Sequence, residues 1–114
     1  MKFKLEKKLK IVNELITYFH KLGNSDIHID LCTIDDKSYF CISGKVSPLS
    51  NNDISSLVEI LETPRQHEVE EYYWQLGGES ELECELTLIS MMIDDAIITY
   101  QDDVLTIKLI RIEN

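Results

Sequence analysis

The sequence predicts an α+β domain: a two-layer sandwich with helices packed on one face of a four-stranded mixed sheet, in the order α-β-β-α-α-α-β-β. Three observations lead there. Two stretches, "DIHIDLCTIDDKSYFCISG" and "AIITYQDDVLTIKLIRI", alternate apolar and polar residues about a short turn, as half-buried hairpins do. Four other segments repeat apolar residues every three to four positions, the spacing of amphipathic helices. Each of these elements has one apolar face, and such faces are best buried against one another. A chain of 114 residues holds one such core and leaves little room for another, so residues 1–114 are expected to form a single domain.

In "LEKKLKIVNELITYFHKLG", Leu5, Leu9, Val12, Ile16 and Phe19 recur at helical spacing, with Leu15 and Leu22 beside them and Gly23 as the C-terminal stop. The first hairpin is expected to turn at Asp36 and Lys37, setting Ile34 across from Tyr39 and Cys32 across from Cys41. Ile27, Ile29, Leu31, Phe40 and Ile42 then share one face, and His28, Asp30, Cys32, Cys41 and Ser43 the other. "SNNDISSLVEILE" opens with cap-forming Ser50 and Asn51 and carries Ile54, Leu57, Val58 and Leu61 at helical spacing. "TPRQ" reads as a capping box, with Thr63 at the N-cap and Pro64 in the first helical position, for a helix over 64–76 that stops at Gly77 and Gly78. Ser80 and Glu83 repeat that spacing before a largely buried helix with Leu82, Leu86, Ile89 and Ile93 in one stripe, widened by Leu88 and Met92. The last hairpin turns at Asp102 and Asp103, with Ile98, Tyr100, Leu105, Ile107 and Leu109 facing the core.

The net charge of −10 is unevenly spread: residues 1–10 hold five Lys and one Glu, leaving six Lys or Arg against 20 Asp or Glu in the rest. Such a surface repels phosphate backbones, which argues against nucleic acid as a partner. Charges interrupt every apolar run before the length of a membrane span, so a cytoplasmic protein with no membrane contact is expected. Cys32, Cys41 and Cys84 are odd in number and lack a CxxC spacing, which argues against a disulfide framework or a zinc ribbon.

"HEVEE" begins like the H-E-x-x-H of metalloproteases, but the second histidine position is Glu71. His67 and Glu71 alone make a poor metal site, so no metal and no cofactor are expected. His28, Cys32 and Cys41 share a hairpin face and read as free groups in a reducing compartment. On the 64–76 helix, Val69, Tyr72, Tyr73 and Leu76 form the core stripe, which leaves Trp74 on the other side with His67, Glu70 and Glu71. A large aromatic among charges is the composition of an interaction hot spot; the alternative is that neighbouring helices cover this one and Trp74 packs between them.

The order of elements resembles the ATP-binding domain shared by sensor histidine kinases, gyrase and the anti-sigma kinases, the GHKL superfamily. "NELITYFHKL" supplies that family's Glu at Glu14, with Tyr18 where its magnesium-binding Asn stands, and "FCISGKV" supplies Gly44 without the adenine-binding Asp. Leu86 and Leu88 occupy positions where the family has phosphate-wrapping glycines. The resemblance therefore implies a degenerate member, with nucleotide binding at an atypical pocket around Glu14 and Gly44 as the alternative function. The leading expectation is a non-catalytic cytoplasmic regulatory or adaptor domain. It binds another protein through His67, Glu70, Glu71 and Trp74 or through the polar face of its sheet, and a homodimer is left open.

Overall fold

The computed structural model describes residues 4–23, 26–46, 48–73 and 85–113. Its elements follow the predicted order: α1 (Lys4–Lys21), β1 (Ile27–Ile34), β2 (Lys37–Lys45), α2 (Asn51–Leu61), α3 (His67–Tyr73), α4 (Glu85–Met92), β3 (Asp95–Gln101) and β4 (Val104–Ile112). The fold is α+β, with the four strands in one sheet of order β1-β2-β4-β3.

Every neighbouring pair is antiparallel, which corrects the expected mixed sheet. The reason is which strand of the second hairpin lies inside. β3 runs in the direction of β2 and would have made a parallel pair beside it, but β4 stands between them, with Phe40 across from Leu109 and Ile42 across from Ile107. β4 presents the buried Leu105, Ile107 and Leu109 to the core, whereas Ala96, Ile98 and Tyr100 of β3 are only partly buried, so the strand with the fully buried face takes the central place.

The hairpins show how two aspartates make a turn. Asp102 and Asp103 have φ of 54° and 64°, the two positive values a type I′ turn requires, and the pairing closes at Gln101 and Val104 as expected. In the first hairpin Asp35 takes a φ of 55°, so the turn is Asp35–Asp36 and Ile34 pairs with Lys37. The expected Cys32–Cys41 pairing is therefore wrong: Cys32 lies across from Tyr39 and Cys41 across from Asp30. The slip of two residues leaves every side chain on its expected face, because the side-chain period of a strand is also two.

α2 begins at the expected Ser50, whose hydroxyl accepts from the Asp53 N–H at 3.1 Å while the Asp53 carboxylate accepts from the Ser50 N–H at 2.9 Å. That backbone N–H bond, with the Ser50 hydroxyl, lowers the Asp53 pKa. α1 ends before Gly23, which has the positive φ of 84° that favours glycine. Its buried face differs from the expected stripe. Lys7, Ile11, Glu14, Leu15 and Phe19 turn inward, while Leu5, Leu9 and Ile16 are exposed. The helix is rotated by about one residue position because the buried Lys7 has acidic partners inside.

The predicted capping box at Thr63 does not open a helix. Residues 63–66 are non-helical, and α3 starts at His67 with the Gln66 carbonyl accepting from the Glu70 N–H at 2.8 Å. Pro64 disfavours helix at the residue before it, and the open segment carries Arg65 inward. α4 is buried as expected through Leu86, Leu88, Ile89 and Met92, but it stops at Met92. The predicted caps at Ser80 and Glu83 lie outside the described residues, as do Gly77, Gly78 and Leu82.

One apolar cluster joins Ile11, Leu15 and Phe19 of α1, Leu57 and Leu61 of α2 and the α4 residues to the inward side chains of β2 and β4. Burying each such side chain is worth roughly 1.5–3 kcal/mol. α1, α2 and α3 all pack against α4, while α1 also meets β2 and α2 meets β3. Among the described residues, no helix is long and apolar enough to cross a membrane.

Candidate functional site

The inward positions of β4 continue past Leu109 to Arg111, which has no exposed surface. Its guanidinium donates to both Glu70 oxygens at 3.0 Å each, to the Met92 carbonyl at 2.6 Å and to Glu113 Oε1 at 3.1 Å. Glu70 comes from α3 and also accepts from Lys7 Nζ at 2.9 Å and Arg65 Nε at 3.1 Å. Lys7 reaches the Glu71 carboxylate as well. Arg65 continues to Asp94 at 2.7 Å and to the Ile112 carbonyl at 2.8 Å. On the other side Glu113 Oε2 accepts from the buried Ser38 hydroxyl at 2.5 Å, and Ser38 lies 3.1 Å from Thr33 Oγ1.

Among the described residues, the cations Lys7, Arg65 and Arg111 thus face the carboxylates of Glu70, Glu71, Asp94 and Glu113. Burial pushes the Glu70 carboxyl up, but hydrogen bonds from Arg111 and Lys7 and the charges of Arg111 and Arg65 outweigh it and bring its pKa to about 2. Burial likewise lowers the Arg111 pKa, and the Glu70 and Glu113 partners more than reverse it. A general acid or base must exchange its proton near the working pH and reach a substrate. Glu70 does neither: it stays ionised near neutral pH, 2% exposed, with both oxygens occupied. The cluster is an ion-pair clamp that ties α3 and the C-terminal end of β4 to α1.

Glu70 was expected beside Trp74 on the outer face of its helix, and this placement is corrected. The expected core stripe began at Val69, which is only half-buried, because Glu70 and not an apolar side chain turns inward to the cations. His67 and Glu71 are exposed, as expected. Trp74 lies outside the described residues.

Glu14 is buried on α1, with Lys10 at 3.1 Å. Gly44 is buried within β2, between Ile27 of β1 and Leu105 of β4. Among the described residues no three His, Cys, Asp or Glu side chains are grouped to hold a metal ion. Cys32 and Cys41 are free thiols.

Sequence reading overlooked Lys7, Arg65, Arg111 and Glu113. A signal existed for three of them: Arg111 and Glu113 continue the alternation of Leu105, Ile107 and Leu109. Lys7 precedes Ile11 and Leu15 at spacings of four. The outward face of the sheet is the other candidate surface. A groove of about 210 Å³ crosses all four strands and is lined by Asp30, Cys32, Tyr39, Cys41, Ile97 and Lys108 among others. Ile34, Tyr39, Ile97 and Val104 are exposed there. The expectation of an at least half-polar face came from the first hairpin; the second adds Ile97 and Ile110 and makes it more apolar. No protein-family model matches this chain, and a search of curated proteins gives no match.

Proposed function

We propose that this chain is a non-catalytic, cytoplasmic regulatory or adaptor domain that binds another protein through the outward face of its sheet. The observation that carries this reading is the apolar groove across all four strands, lined in part by the exposed Ile97, with Ile34 exposed on the same face. Exposed apolar surface concentrated in one place is costly in water and is characteristic of interaction sites. The charge distribution supports the same reading, since the buried carboxylates Glu70 and Glu113 are bound to buried cations and have no reacting group left to offer. The two-layer arrangement belongs to this proposal: the core cluster takes only one face of β2 and β4, which leaves the other for a partner.

The nucleotide alternative uses Glu14 and Gly44. Glu14 is engaged by Lys10, and Gly44 is held in the ladder between two strands, a poor position for cradling phosphate. The experiment is photo-crosslinking in the native cell, with the reactive group placed at position 39, at position 97 or, as a control, at the exposed Glu59 of α2. The expected result is a discrete adduct with one other protein from positions 39 and 97 and not from 59. Adducts from 59 alone, or a rise in melting temperature with magnesium-ATP, would overturn the reading.

A further inference from the structure

The outward face of the sheet sorts its charges by strand. Among the described residues, the central strands β2 and β4 turn Lys37, Lys45 and Lys108 outward and no carboxylate. The outward carboxylates of the strands, Asp30 and Asp95, stand on the outer strands β1 and β3. The turns Asp35–Asp36 and Asp102–Asp103 close the two ends. With 11 Lys and Arg against 21 Asp and Glu, cations are scarce in this chain, and Lys7, Lys10, Arg65 and Arg111 each meet a carboxylate. Among the described residues, Lys37, Lys45 and Lys108 are exposed and form no ion pair.

The register fixes where these three amines lie. Lys37 pairs with Ile112, Lys45 with Val104, and Lys108 with Cys41, midway between the other two. At about 3.3 Å per residue, Lys108 stands about 13 Å along the strands from each of them. The lysines thus mark a line about 26 Å long in a band two strands, roughly 10 Å, wide. The apolar groove crosses the middle of this band, with Tyr39, Ile97 and Ile110 around Lys108.

We propose that the occupant of this face is an acidic amphipathic helix of a partner protein, seated along β2 and β4. Its apolar stripe lies on Tyr39, Ile97 and Ile110, and its flanking carboxylates meet Lys37, Lys45 and Lys108. The proposal rests on the reading of the outward face as a docking surface. The line of amines is as long as about 18 helical residues, and the band is as wide as one helix. A strand would instead add at an edge, where backbone groups are unpaired, and a second sheet would also cover Asp30 and Asp95. Charge separates the helix from other anions. A nucleic acid or an anionic bilayer extends past the band and meets the surrounding aspartates of a chain of net charge −10. A single helix places its carboxylates only where the lysines are.

The test is photo-crosslinking of the full chain from position 97 in the native cell, followed by sequencing of the attached peptide. The expected peptide carries apolar residues at helical spacing flanked by Asp and Glu. A synthetic copy of that captured peptide is then titrated against the full chain. Lys108→Glu should weaken its Kd about tenfold, and Lys108→Arg should retain it. Lys4→Glu, at the exposed start of α1, changes the net charge equally and should leave the Kd unchanged. Added salt should weaken binding of the unmodified chain more than that of Lys108→Gln. A basic or uncharged peptide, or a Kd that Lys108→Glu leaves unchanged, would overturn the acidic helix and leave the docking face standing. Attachment to a second copy of the chain, to nucleic acid or to lipid, or no adduct at all, would overturn both readings.

Discussion

Along β4 the inward positions change chemistry from one end to the other. Leu105, Ile107 and Leu109 meet Phe40, Ile42 and the aliphatic faces of α1 and α4, whereas Arg111, with Ser38 across from it, meets Glu70 and Glu113. The apolar end is held by burial, which has no direction and grows with area. The ionic end takes charges out of water at a cost of several kcal/mol per ion, offset only while each charge keeps its partners. The difference teaches what each end can specify. Apolar surfaces can slide over one another, but a guanidinium forked on a carboxylate has one orientation, so the short α3 is placed by geometry more than by area.

Arg111→Met should break this contrast most severely. It leaves Glu70 and Glu113 buried without their main donor, and denaturant unfolding should show a loss of about 3–5 kcal/mol. Replacing Glu70 by Leu in the same chain should recover part of that loss. At the apolar end Ile107→Ala should cost about 2–5 kcal/mol through the cavity it leaves, and no second truncation should recover it.

Acid should separate the ends again. Glu70 has a pKa of about 2 in the fold against an ordinary 4.5. A depressed carboxyl stabilises the fold above its unfolded value and loses that contribution as pH falls through the folded one. Stability should therefore drop between about pH 5 and pH 2, on the order of 3 kcal/mol from this group. The drop should be much smaller in Glu70→Gln, measured against that variant's own neutral-pH stability.

The apolar end was legible in the sequence because alternation and helical spacing report burial directly. The faces of both hairpins, the Ser50 cap, the turn at Asp102 and Asp103 and the burial of α4 all follow from local patterns. The ionic end was not legible, because polar letters are read as solvent-facing until their partners are known. Glu70 finds Lys7 and Arg111 at separations of 63 and 41 residues, and no local pattern carries that information. The same blindness turned α1 the wrong way, since Lys7 counted as polar. The slipped turn at Asp35 has another cause: three successive residues, Asp35, Asp36 and Lys37, all suit a turn, and only the left-handed backbone at Asp35 decides between them.

The functional side of the comparison concerns a surface that neither end of the core uses. The measurement that bears most directly on it is recovery of the photo-crosslinked partner by a Tyr39→Lys, Ile97→Lys double variant, with the photoreactive group carried at the exposed Thr99 and the melting temperature measured alongside. Both side chains are exposed and contribute to the fold only through cross-strand pairs worth about 0.2–1 kcal/mol each. The expected result is a melting temperature lowered by no more than several degrees, together with loss of the partner seen when Thr99 alone is replaced. Undiminished recovery of the same partner would contradict binding at the outward face of the sheet.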